Sequence, residues 1–178
     1  MLGYFDSSEN VGIYRIVTQI SGVNAVFLII LSAIVGPKIS NLHSEGKGME
    51  IKSLIQKSSK AILFITLPIL VLILVFASNI LLFFGNEYLS AKYAIIILSI
   101  CQFLYAISGF VDLILNMTGK QKTFGRITVL TAVLNIVLNF ILIPKFGLTG
   151  AAVATGFSIL LTNLLGIIYV QKKYNFLP

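Results

Sequence analysis

Long apolar runs separated by short polar segments dominate the chain, and their lengths predict membrane-spanning helices. Five runs, at about residues 13–36, 61–84, 93–118, 127–143 and 151–170, approach or exceed the ~20 helical residues that cross a hydrocarbon core. They are too long and too continuously apolar for barrel strands, which are shorter and alternate in polarity. The pattern predicts an all-α polytopic membrane helix bundle with five transmembrane helices.

The first connection, residues 37–60, is longer than the others and has its own period. Met49, Ile51, Leu54 and Ile55 fall around one helical face, and lysines occupy the other face. This arrangement predicts one short amphipathic helix on the cytoplasmic membrane surface, separate from the spans.

Composition supports a lipid environment. Of 178 residues, 57% are hydrophobic, and the mean hydropathy is +0.99, more apolar surface than a soluble domain of this size can bury. A net charge of +7 would suggest nucleic acid in a soluble protein. Here the basic residues cluster between apolar runs, so we expect membrane lipids, and no nucleic acid, as partners.

The distribution of basic residues predicts the orientation. Residues 37–60, 119–126 and the tail after residue 170 are rich in lysine and arginine, whereas the alternate connections are poor in them. By the positive-inside rule, the N-terminus lies outside and the C-terminus is cytoplasmic.

Two predicted spans carry narrow polar stripes. The third span places five polar or small residues within about 80° of one helical face at 100° per residue: Gln102, Tyr105, Gly109, Asp112 and Asn116. The fourth carries a similar stripe: Thr128, Thr131, Asn135 and Asn139. Such stripes face protein or a water-filled cavity rather than lipid.

Each stripe has a packing interpretation and a functional one. Asn135 and Asn139 are suited to hydrogen bonding between helices, and their amides are equally suited to sugar hydroxyls. Asp112 is the acidic residue inside a span and away from its ends, which makes it a functional candidate or a hydrogen-bonded packing residue. Gln102 and Asn116 are further candidates for a substrate cavity.

Two residues outside the stripes are also candidates. Pro68 lies inside the second span, where loss of a backbone hydrogen bond makes it a hinge or a fixed bend. Arg15 lies near the outer end of the first span and either reaches lipid headgroups or faces an anionic substrate. The single histidine, His43, has no ligand cluster nearby. No metal, cofactor or catalytic group is therefore expected, and the chain is not expected to be an enzyme.

Several stretches, in order, resemble the C-terminal half of polysaccharide biosynthesis flippases. They are residues 1–5 with 11–14, residues 37–40, residues 84–88, residues 118–122 and, most specifically, residues 135–158. These flippases belong to the superfamily of multidrug, oligosaccharidyl-lipid and polysaccharide exporters. The resemblance implies two six-helix bundles around a hydrophilic cavity, with alternating access. It also implies a polyprenyl-pyrophosphate-linked oligosaccharide as the substrate that is flipped for surface polysaccharide synthesis.

The resemblance also predicts an incomplete transporter. Five helices cannot form a six-helix half, so we expect a fragment that requires a missing N-terminal half or a complementary membrane chain. The alternatives are a cation-coupled drug exporter of the same superfamily and a non-transporting scaffold for cell-envelope assembly. A membrane-bound transferase has little support, because no acidic pair lies outside the spans.

Overall fold

The structure, a computed structural model, describes residues 2–5, 7–108 and 110–174. In chain order the elements are α1 (Leu2–Phe5), α2 (Ser8–Ser21), α3 (Val23–Ser44), α4 (Gly48–Leu82), a 3-10 helix (Asn86–Ala91), α5 (Lys92–Ile107), α6 (Val111–Met117) and α7 (Gln121–Tyr174). These residues include no strand, so the predicted all-α bundle is confirmed for the described part of the chain.

The longest element, α7, consists of two antiparallel arms. Gly147 has φ 52° and ψ −129°, a backbone conformation that glycine adopts without steric cost. It separates a first arm, residues 121–146, from a second arm, residues 148–174. The arms meet at Gly150, where an added methyl group would lie 2.6 Å from the carbonyl carbon of Leu142. The turn at residues 144–147, between the fourth and fifth predicted spans, is therefore tight, and glycine at position 150 lets the two backbones touch.

Three predicted boundaries are wrong. The first predicted span, 13–36, is divided at Gly22 into α2 and α3, and α3 continues through Pro37 to Ser44. The lysine-rich amphipathic segment is not a separate helix, because residues 49–67 contain no glycine or proline to end it. It forms the first turns of the 35-residue helix α4.

The third predicted span, 93–118, is also divided. Helix α5 ends at Ile107, and α6 begins at Val111 after Phe110, which adopts a left-handed φ of 57°. The Ser108 hydroxyl donates to the carbonyl of Tyr105 at 2.6 Å and accepts a hydrogen bond from Asn163 of the second arm. A local side-chain bond and a tertiary bond thus stabilise an interruption that hydropathy does not reveal.

The interior contains two apolar clusters with polar residues between them. Ile73 and Leu98 belong to one cluster, and Ile62 and Ala106 to the other. Between them on α4 and α5 lie Thr66 and Ser99, both fully buried, and Asn24 of α3 is also fully buried. The Thr66 hydroxyl donates to the carbonyl of Ile62 at 2.7 Å.

The outer surface is strongly apolar. Phe64 is 76% exposed and Val129 is 66% exposed, and each lies within a long apolar helix. Four helical segments within the described residues are long and apolar enough to cross a membrane. They are α3, α4, the 3-10 helix joined to α5, and α7 with its two arms. Such a surface requires lipid, so the chain is a multi-pass membrane protein.

Candidate polar groove between the arms of α7

A groove of about 390 Å³ runs between the two arms of α7. Most of its accessible wall is apolar carbon, and we call it the polar groove for the threonine, serine and asparagine residues that line it. The first arm contributes Thr128, Thr131 and Asn135, which were predicted as a stripe. Sequence reasoning missed the second-arm side chains of the groove, which also repeat every three or four residues: Thr155, Ser158 and Thr162. Their helical spacing was a usable signal.

Hydrogen bonds across the groove hold the arms together. The Asn135 Nδ2 donates to the carbonyl of Ala154 at 3.1 Å, and the hydroxyls of Thr131 and Thr162 are hydrogen-bonded at 2.7 Å. Asn139, which is buried, donates from Nδ2 to both the backbone carbonyl and the Oδ1 of Asn135 at 2.9 Å. The two predicted asparagines therefore form one unit, and they contribute directly to packing.

A network on the second arm extends the groove to α2. The hydroxyls of Thr155 and Tyr14 are hydrogen-bonded at 3.0 Å, and this bond links α7 to α2. Ser158 donates to the carbonyl of Ala154 at 2.9 Å, and Thr162 donates to the carbonyl of Ser158 at 2.8 Å. These bonds fix the hydroxyl groups in place along one side of the groove.

The groove presents oxygen atoms that remain free to accept hydrogen bonds. Thr128 donates its hydroxyl proton to the carbonyl of Phe124 at 3.0 Å, and Ser158 likewise uses its proton within its own helix. A hydroxyl oxygen that donates still carries lone pairs for an incoming donor. Most of the accessible wall is apolar carbon, so the groove suits a ligand that combines hydroxyl donors with apolar faces, such as a sugar ring.

Asp112 lies in a different polar pair. The Tyr105 hydroxyl, at the end of α5, donates to Asp112 Oδ2 at 3.4 Å across the α5–α6 interruption. Among the described residues no hydrogen bond joins this pair to the asparagine unit of α7. The predicted continuous stripe of the third span is therefore interrupted at residues 108–110, and its Gly109 lies outside the described residues.

The remaining predicted residues are dispersed. Gln102 is half-buried on α5, whereas Asn116 on α6 and Arg15 on α2 are exposed. Pro68 is exposed within α4, which continues through it although the carbonyl of Phe64 loses its usual helical donor. Within the described part of the chain, no group of three His, Cys, Asp or Glu residues could hold a metal ion.

Comparison with protein families supplies the assignment. The MatE family model matches residues 1–141. The chain belongs to the MatE family. Relatives similar to the chain include two proteins of Haloferax volcanii, the probable low-salt glycan biosynthesis flippase Agl15 and the probable flippase AglR. The chain is 30% identical to Agl15 over 97% of its own length and 29% identical to AglR over all of it.

A bacterial relative extends the same pattern. The capsular polysaccharide biosynthesis protein CapF of Staphylococcus aureus is 29% identical over 79% of the chain. The chain spans a little over a third of each relative: 37% of Agl15, 38% of AglR and 36% of CapF. No solved structure gives a significant match. The predicted resemblance to polysaccharide flippases is thereby confirmed at the level of the family.

Proposed function

We propose that this chain forms the C-terminal bundle of a flippase that moves a polyprenyl-pyrophosphate-linked oligosaccharide across the cytoplasmic membrane for surface polysaccharide synthesis. The observation that carries the proposal is the open polar groove between the arms of α7. Hydroxyl and amide groups line this groove, and Thr128 among them is exposed. Polar groups at membrane depth must face water or more protein. A sugar-bearing substrate in a water-filled cavity satisfies them.

The groove would act by binding and not by covalent chemistry. Acceptor oxygens of Thr128 and Ser158 would receive hydrogen bonds from sugar hydroxyls, while Asn135 and Asn139 hold the two arms at a fixed separation. Asp112 and Gln102 would contribute from α6 and α5, with Asn116 and Arg15 toward the two ends of the cavity. No enzymatic step and no cofactor are required.

Movement would come from the bundle as a whole. Pro68 would serve as a hinge in α4, and an opposing bundle would close the cavity during alternating access. We place that bundle in a missing N-terminal half or in a complementary chain. The charge distribution favours an outer N-terminus and a cytoplasmic C-terminus.

The test separates sugar binding from packing. Thr128→Val combined with Ser158→Ala removes two hydroxyls that bond only to carbonyls of their own helix. The wild-type or variant gene is restored to a deletion strain, and surface polysaccharide and lipid-linked oligosaccharide are quantified. We expect about a tenfold drop in transport at equal protein level, from two lost hydrogen bonds.

A matched control removes two hydroxyls elsewhere. Ser44 and Ser90 also donate to carbonyls within their own helical segments, and both lie outside the groove. Ser44→Ala with Ser90→Ala should restore transport fully. Full transport by the groove variant as well would overturn the proposed role of the groove, and normal polysaccharide in the deletion strain would overturn the flippase proposal.

A further inference from the structure

A second cavity, of about 480 Å³, lies far from the groove, between the end of α3 and the beginning of α4. Both helices project beyond their apolar segments here, because α3 continues past Pro37 and α4 begins at Gly48. Lys38 and Asn41 line the cavity from α3, and Ser53 and Lys57 line it from α4. Two lysines from two different helices therefore face one polar space.

The local charge balance favours an anion. Glu50 also lines the cavity, but its carboxylate lies 3.9 Å from the amino group of Lys47. Lys47 pairs with Glu45 at 2.7 Å, and the hydrogen bond and charge of Glu45, with the charge of Glu50, raise the pKa of the Lys47 amino group. Lys47 thus stays protonated and offsets one of the two glutamates, whereas Lys38 and Lys57 have no ion pair among the described residues. Lysines therefore outnumber glutamates around the cavity by one.

Apolar side chains continue from the cavity toward the membrane. Ile34 lies one helical turn before Lys38 on the same side of α3 and is 55% exposed. Phe64 lies two turns after Lys57 on α4 and is 76% exposed. The surface therefore changes from cationic to apolar over about 6 Å along α3 and about 10 Å along α4, at a rise of 1.5 Å per residue.

We propose that this cavity binds the phosphate head group of an anionic phospholipid, whose acyl chains lie along Ile34 and Phe64. Lys38 and Lys57 neutralise the phosphate, and Asn41 and Ser53 donate hydrogen bonds to its oxygens. The proposal does not depend on the flippase activity. It requires only that the chain lies in a bilayer, with this end at the headgroup level.

The experiment measures lipid adducts of the purified chain in neutral detergent by native mass spectrometry. Phosphatidylglycerol and phosphatidylcholine are compared, and glycerol phosphate without acyl chains is a separate competitor. The wild-type chain should prefer phosphatidylglycerol. In Lys38→Gln with Lys57→Gln its affinity should fall about thirtyfold, from two lysine contacts with an anionic lipid.

The matched control is Lys172→Gln with Lys173→Gln, which removes the same charge from the exposed end of α7. It should bind phosphatidylglycerol like the wild type, and both variants should keep the wild-type melting temperature in phosphatidylcholine. Equal loss in both variants, or no preference in the wild type, would overturn the site. Competition by glycerol phosphate at the lipid's own concentration would show a free-anion site and overturn the lipid assignment.

Discussion

The Asn135 side chain donates a hydrogen bond at 3.1 Å to the backbone carbonyl of Ala154, 19 residues later in the sequence, and so joins the two helical arms of α7. Ala154 is buried, and its carbonyl also accepts from Ser158. Asn139 in turn donates to Asn135, so one asparagine positions the other. The groove between the arms owes its shape to this pair.

Replacing Asn135 by alanine should loosen the hairpin. Loss of the interhelical bond and of the acceptor for Asn139 should lower the free energy of unfolding by about 1 kcal/mol, the scale of such bonds in membrane proteins. Asn79→Ala, at an exposed position of α4, is the control and should change it little. Titration of unfolding with denaturing detergent measures both, and equal stabilities would contradict the packing role of Asn135.

The Thr131–Thr162 hydroxyl pair should show energetic coupling. A double-mutant cycle with Thr131→Val and Thr162→Val separates their shared bond from the bonds within each helix. With the Thr162 proton on the carbonyl of Ser158, Thr131 donates to the Thr162 oxygen. We expect a coupling energy of about 0.5–1 kcal/mol. Additive effects of the two substitutions would mean that the 2.7 Å contact contributes nothing to stability.

Gly150 should not tolerate a side chain. Its added methyl group would collide with the backbone of Leu142, which cannot rotate away, so Gly150→Ala should destabilise the chain by about 1–3 kcal/mol. Gly125→Ala is the matched control in the same helix, since nothing lies within 4 Å of its added methyl group. That control should be neutral or stabilising by up to about 1 kcal/mol, and a neutral Gly150→Ala would show that the arms are further apart.

Asp112→Asn tests whether the carboxylate has a role beyond packing. An amide oxygen still accepts the Tyr105 hydroxyl, so the melting temperature should stay within a few degrees of the wild type. Under the proposed function, transport should fall. Transport that matches the wild type would assign Asp112 to packing alone.

Sequence patterns predicted what depends on local hydropathy. The apolar runs revealed the helices, and the four-residue spacing of Asn135 and Asn139 revealed a polar face, on which the structure places Asn135 in the groove and buries Asn139 beside it. Pro144 and Gly147 mark the turn between the arms, because proline lacks a backbone N–H and glycine adopts positive φ. These features are set by residues close together in the chain.

The errors concern features set by distant residues or by the absence of a stop signal. At the interruption between α5 and α6, the Ser108 hydroxyl accepts a hydrogen bond from Asn163, which lies 55 residues later. No local sequence pattern predicts that contact. The lysine-rich segment joins α4 because residues 49–67 lack a helix breaker, although its amphipathic period suggested a separate helix. The sequence did not predict Ser158 and Thr162 as groove residues, because the second arm carries small apolar residues as well as polar ones and so shows no continuous polar stripe.

The central claim is that the groove of α7 faces a water-filled cavity, and cysteine accessibility tests it most directly. In a Cys101→Ala background, single cysteines are placed at Thr128 and Ser158 in the groove and at Val133 and Leu164, exposed apolar positions on the same two arms. Intact membranes are treated with a membrane-impermeant, water-soluble thiol reagent applied to both faces. We predict modification at the two groove positions and none at the two apolar positions. Protection of all four would contradict the cavity and leave the polar groove as a packing surface.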